Sequence, residues 1–135
     1  METLIGYGLT LLWLVAFLAL AYAGHFAFDR ITPFPLRQAS DARNPALGHV
    51  LRGLYVGLAV ILLAAIRGNH SLGRGLLDGA VGIALILVVY VVFDRLDGRD
   101  FGKELTEGNT MLALELEGLF ILTAAIVVGA MNLAL

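Results

Sequence analysis

Cysteine is absent from this chain, and its absence removes disulfides, thiolate metal sites, cysteine-ligated iron–sulfur clusters and thiol catalysis together. The redox compartment is unreadable for the same reason. Charge is also scarce: 15% of the 135 residues are Asp, Glu, Lys or Arg, the net charge is −2, and there is no extended basic run. Nucleic acid is therefore not an expected partner. No nucleophile–base arrangement, metal-ligand spacing or phosphate loop stands out either, so the expectation is a protein that is not an enzyme.

What the chain has instead is apolar residue in excess, 59% of the total, too much for a soluble domain of this length. The excess falls into four stretches, approximately Leu4–Phe28, Ala46–Ile66, Leu76–Phe93 and Met111–Met131. Each is close to the roughly 20 residues that a helix needs to cross the hydrocarbon core. The runs are too long and too uniform for the alternating strands of a membrane barrel, and a spanning helix satisfies its own backbone. The expected fold is thus an all-α membrane protein, one membrane domain over residues 1–135. Ala21-Tyr22-Ala23 imitates a signal cleavage site, but Glu2 is the only charge before Asp29 and the basic start of a secretory signal is missing. The first stretch reads as a retained helix.

Basic residues orient the four spans. The first loop carries Arg30, Arg37 and Arg43 and the third Arg95, Arg99 and Lys103, against Arg67 and Arg74 in the middle loop and none at the termini. The excess places the first and third loops in the cytoplasm and both termini outside it.

A shift of sixty-five positions aligns Phe28-Asp29-Arg30 with Phe93-Asp94-Arg95, Asn44 with Asn109, Leu47 with Leu112, and Gly53-Leu54-Tyr55 with Gly118-Leu119-Phe120, without a gap. Residues 1–65 and 66–130 therefore read as two tandem copies of one helical hairpin. Each copy holds an even number of spans, so the two are parallel in orientation and a pseudo-twofold axis runs along the membrane normal.

At that offset Arg52 is the mate of Glu117, two opposite charges at one depth, about two turns inside the cytoplasmic boundary. A charge there is costly unless paired or hydrated, so an Arg52–Glu117 ion pair is expected, with registry between helices as its plainer role. Glu115 projects to nearly the opposite side of the fourth helix from Glu117. It is expected to be an ion- or proton-handling group, or else to be neutral and hydrogen-bonded at a subunit interface. Asp78, one turn after Arg74, reads as half of an i,i+4 pair with it, or as an outer station on a polar path. Asn44 and Asn109 read as N-caps, with an anion or lipid phosphate at the freed helix ends as a secondary use. No cofactor is expected; His25 and His49, at similar depth, have a spacing that would permit a b-type haem but does not specify one. His70 reads as a solvated loop residue.

Gly53-x-x-x-Gly57, Gly75-x-x-x-Gly79, Ala125-x-x-x-Gly129 and the repeat-mate Gly118 mark close helix packing. Membrane lipid is the surrounding partner. Four thin helices with unpartnered carboxyls make a poor monomeric pore, so a homo-oligomer is expected. The loops over residues 29–45 and 94–108 are candidate sites for a cytoplasmic partner.

The run Phe28-Asp29-Arg30-Ile31-Thr32-Pro33, then Asn44-Pro45-Ala46-Leu47 and Gly53-x-x-x-Gly57, with Glu107-Gly108-Asn109-Thr110 and Gly118 in the second half, resembles the YjfL-like family. That is a domain-of-unknown-function family of small bacterial inner-membrane proteins, and the resemblance spans essentially the whole chain. It implies a four-helix fold and an inner-membrane location, and no reaction. The family pattern has small or neutral residues where Arg52 and Glu117 stand, and alanine is common at the positions of Pro45 and Met111. Two functions fit these features: an oligomeric ion- or proton-handling channel or carrier, and a non-transporting scaffold or accessory subunit that recruits a partner.

Overall fold

In this computed structural model residues 1–32 and 43–134 are described, the last three by their backbone alone. The order is α1 (Glu2–Ile31), α2 (Pro45–Gly68), α3 (Leu72–Asp97), a short α4 (Phe101–Thr106) and α5 (Thr110–Ala134). The four long helices are long and apolar enough to cross a membrane, and the protein is a multi-pass membrane protein with four candidate spans. Each helix outruns its apolar stretch by one to several residues at one or both ends. Hydropathy marks only the part that sits in hydrocarbon, whereas backbone hydrogen bonding continues through the polar interface.

Local chemistry sets several of the boundaries. Asn44 ends the first loop by accepting the Ala46 N–H on its side chain (3.0 Å), and Pro45 takes the first helical position, where a missing N–H costs nothing. Gly98 closes α3 at φ +77° and Gly108 precedes α5 at φ +86°, both left-handed positions that glycine adopts without strain. Between them Asp100 caps α4 by accepting the Lys103 N–H, and Phe101 and Leu105 bury themselves under the bundle end. The third loop is therefore a folded plug, which hydropathy alone does not signal.

The most extensive packing joins α2 to α5, with α3 against both and α1 lying mainly on α3. A Cβ on Gly53 would stand 2.5 Å from Glu117 Cα, so the two backbones touch there. One turn on, a Cβ on Gly57 would meet Ile86 Cδ1 at 2.8 Å and the Phe120 carbonyl at 3.2 Å. Gly75 and Gly79 receive Trp13, Phe17 and Leu20 of α1. Small residues thus admit neighbours where lipid removes the hydrophobic drive between helices. Toward the first- and third-loop end, Phe28 packs edge-on against Tyr90 and Phe120 (5.3 and 5.6 Å between centroids), Tyr90 stacks on Phe120, and Phe101 closes the cluster.

In α5 the small residues stand open. Gly118 and Gly129 have nothing within 4 Å of an added Cβ, and Ala125 is exposed, so this face packs on none of the described residues. A spacing of small residues says that a face can pack closely, not which neighbour it has. Gly82, which the spacing did not single out, is in close contact instead: a Cβ there would lie 2.5 Å from Ile61 Cγ2. The obstacle is a side chain rather than backbone, so Gly82→Ala should cost about 1–3 kcal/mol. That cost should shrink in an Ile61→Ala background, where the clashing methyl is gone. A double-mutant cycle of unfolding in mixed micelles checks this, and additive effects would refute the contact.

Candidate functional site

Two charged networks occupy the end of the bundle that carries the first and third loops. In the first, Arg52 grips Glu117 with a fork, Nε to Oε1 at 2.8 Å and Nη2 to Oε2 at 3.0 Å. The fork forms because Gly53 lets α2 close directly onto the backbone of Glu117. His49, one turn before Arg52, places Nδ1 3.1 Å from Glu117 Oε2 and 3.2 Å from Arg52 Nη2. One nitrogen cannot donate to the carboxylate and accept from the guanidinium at once, so the tautomer of His49 chooses between two hydrogen-bond patterns. Arg52 and Glu117 both lie about 10 Å along their helices from the start, at 1.5 Å per residue. The expected ion pair is present, and His49 is an addition to it.

The second network holds Glu115. Within the chain it has a partner the sequence did not suggest: Arg99, from the loop after α3, donates from Nη2 to Glu115 Oε2 at 3.0 Å and also pairs with Asp97. Asp97, and after it Glu115, hold the Arg99 guanidinium above its ordinary value. Glu115 and Glu117 diverge on α5 as their spacing requires, and each meets a different arginine.

At the opposite end Asp78 is also re-partnered. Arg74 is exposed and makes no ion pair with it among the described residues. Asn69, at the end of α2, donates from Nδ2 to Asp78 Oδ2 at 2.9 Å and to the Ala65 carbonyl at 2.9 Å. The turn between α2 and α3 brings Asn69 closer than the helical neighbour, and an i,i+4 spacing could not reveal that. Asp78 and Asn69 line a cavity of about 230 Å³ with Ile61, Ala64, Gly68 and Met131. Along α2 and α5 between the two ends, Leu54, Leu58, Ile61, Phe120 and Ala124 are buried. Packed apolar side chains therefore separate the polar groups of one end from those of the other.

The two histidines are not brought to a shared site. His25 stacks on Tyr55, whose hydroxyl lies 2.9 Å from its Nδ1, while His49 belongs to the Arg52–Glu117 network. His70 is exposed. Among the described residues no group of three or more His, Asp or Glu is placed to hold a metal ion.

Asn44 and Asn109 both cap helices, Asn109 accepting the Leu112 N–H at 3.1 Å. Their amide nitrogens differ: Asn44 donates to the Leu105 carbonyl (2.9 Å) and Asn109 to Glu104 Oε2 (2.9 Å), so both pin the α4 plug. The Asn44 bond predicts that Asn44→Ala should lose both the cap and the tie to α4, costing about 1–2 kcal/mol. Asn44→Asp should keep the cap and lose the tie. Thermal melts of the two variants check this, and an Asn44→Asp variant that melts like the parent would refute the tie to α4. Pro33 and Arg37, with most of the first loop, lie outside the described residues.

Residues that sequence reasoning missed here are Arg99, Asn69 and Tyr55. Each acts across a turn or between helices distant in sequence, and only Asn69, nine positions before Asp78, stood near enough to suggest itself.

Comparison with known proteins gives two findings. The model of a family described as Domain of Unknown Function (DUF350) matches residues 2–131. A UPF0719 transmembrane protein of Mycolicibacterium paratuberculosis (strain ATCC BAA-968 / K-10) is 30% identical over 129 residues, covering 87% of this chain and 85% of that protein. No solved structure matches.

Proposed function

This chain belongs to the DUF350 family, and on that premise we propose that it works as a homo-oligomer that handles ions or protons at faces between its copies. One observation carries the reading: two charges at spanning depth, Arg52 and Glu115, sit on the outside of the bundle. The Arg52 side chain is 60% exposed and that of Glu115 46%, about 8–10 Å along their helices, while the core between the bundle ends is filled. Their partners in the chain offset only part of the cost of facing hydrocarbon with so much of the side chain exposed, and a second copy or a water-lined seam between copies removes the rest. The open stripe of Gly118, Ala125 and Gly129 runs down the same helix as Glu115 and permits close approach of another helix. Glu115 with Arg99, and Glu117 with Arg52 and His49, are then the groups at the mouth of the seam.

In this reading the membrane is the bacterial inner membrane, both termini lie outside the cytoplasm, and residues 1–65 and 66–130 are parallel copies of one hairpin. The matching caps at Asn44 and Asn109 and the pairing of the repeat-mates Arg52 and Glu117 support the duplication. The copies have diverged in use, since Gly53 is in backbone contact while Gly118 is open. The role is not enzymatic and calls for no cofactor.

The test is ion and proton flux in liposomes holding the purified chain, beside Glu115→Gln. Glutamine can still accept from Arg99, so the variant should assemble normally and lose flux. A second reading, a scaffold whose loops 29–45 and 94–108 recruit a partner, draws on the pairing of Glu115 and Glu117 within the chain. Absence of flux across a panel of ions, in correctly assembled protein, would favour it and end the transport reading.

A further inference from the structure

The cavity at the α2–α3 turn has a chemistry of its own. Among the described residues Asp78 is the only charged one in its wall, and no arginine, lysine or histidine lines it. Among the described residues Asp78 makes no ion pair, and its hydrogen bond to Asn69 uses Oδ2, with no donor paired to Oδ1. Helix α2 ends at Gly68, in the cavity wall, so the terminal carbonyls and negative dipole end of the helix lie at the cavity. Residues Val128 and Met131, near the C-terminal end of α5, also line it. Asp78 stands two residues, about 3 Å, inside the apolar stretch that begins at Leu76, where a carboxylate is partly withdrawn from water and a counter-charge is favourable.

We propose that this cavity binds one univalent cation, an alkali-metal ion or a small primary ammonium, with the Asp78 carboxylate as its anionic partner and oxygens of Asn69 and the α2 terminus around it. A single carboxylate suits one positive charge, since hard divalent cations gather several carboxylates. A volume of about 230 Å³ is too small for an extended organic ligand. At roughly 30 Å³ per water, it holds a small cation with part of its hydration shell. Asn69 fixes the carboxylate by bridging it to the Ala65 carbonyl, which keeps the site formed in the absence of the ion. The site lies at the opposite end from the charged networks and does not depend on whether the assembly moves ions.

The experiment reads binding directly. Thermal unfolding of the full chain in micelles is followed in lithium, sodium, potassium and methylammonium chlorides, at constant ionic strength against N-methylglucamine chloride. At least one cation should raise the melting temperature with saturation, as a ligand of the native state does. In Asp78→Asn the apparent affinity should fall by about tenfold or more, equivalent to about 1.4 kcal/mol. Glu115→Gln should retain the full response even if its flux is gone. Should Asp78→Asn fail to fold, lithium-7 and sodium-23 NMR relaxation on the unaltered chain and on Asn69→Ala replaces it, with saturable broadening expected in the first and weakened in the second. A flat response to every cation in the unaltered chain, or an equal response after the substitution, would overturn the proposal whatever the flux assay shows.

Discussion

Gly53→Ala should take the α2–α5 contact apart, whereas Gly118→Ala should leave the bundle standing. Both glycines are the ninth residue of their helix, so intrinsic helix propensity favours alanine equally at each, by about 1 kcal/mol. Their surroundings differ. A methyl on Gly53 would come within 2.5 Å of Glu117 Cα and 2.9 Å of its carbonyl oxygen, and a backbone cannot rotate aside as a side chain can. The helices must separate, which strains the Arg52–Glu117 fork and opens the packing around Leu54 and Phe120. Overpacking of this kind costs about 3 kcal/mol or more when the obstacle is rigid. Gly118 meets nothing within 4 Å, so its alanine variant should melt like the parent or slightly above it. Size-exclusion profiles after heating read both variants. Melting of Gly53→Ala at the parent temperature would mean that the close approach is wrong. A Gly118→Ala variant that keeps its fold but changes its subunit number would support the face between copies.

Glu117→Lys should have the next largest effect. It sets an ammonium against Arg52 and His49 on one side of the bundle, where the structure places a carboxylate that accepts twice from Arg52 and lies 3.1 Å from His49 Nδ1. Like charges at hydrogen-bond distance in a medium with little water leave no arrangement that satisfies them. Most of the protein should therefore be lost to aggregation on extraction. The reciprocal exchange, Arg52→Glu with Glu117→Lys, restores opposite charges and should recover much of the folded yield. It will not recover all of it, because lysine is a point charge and cannot form the fork that arginine does. Arg52→Lys alone should fall between parent and Arg52→Ala for the same reason. Failure of the double exchange to improve on Glu117→Lys would show that the fork is incidental to the fold.

The features legible in the sequence were those that depend on what is near in the chain or repeated in it. Four helices followed from runs of about 20 apolar residues, since lipid permits a single open-ended way to cross. The Arg52–Glu117 pair followed from the offset of sixty-five, which set two opposite charges at one height. The partners of Glu115 and Asp78 were not legible, because both come from turns: Arg99 is returned to α5 by the loop that contains α4, and Asn69 hangs from the end of α2. The different surroundings of Gly53 and Gly118 were not legible either, because a spacing of small residues marks a face that can pack closely without naming its neighbour.

The distribution of contacts has a consequence for biogenesis. Helix α1 precedes its neighbours in the chain, yet only Phe17, Gly24 and Phe28 are buried along its 30 residues, and it leans mainly on α3. Helix α2 finds its main partner in α5, which is made after it. The first hairpin is thus held by few contacts of its own, chiefly His25 with Tyr55 and Gly24 with Leu58, until the second half of the chain joins it. Arg52 meets Glu117 only when α5 is in place, so neutralising that guanidinium belongs to the late steps of assembly, and a chain truncated before α5 would leave it without its carboxylate.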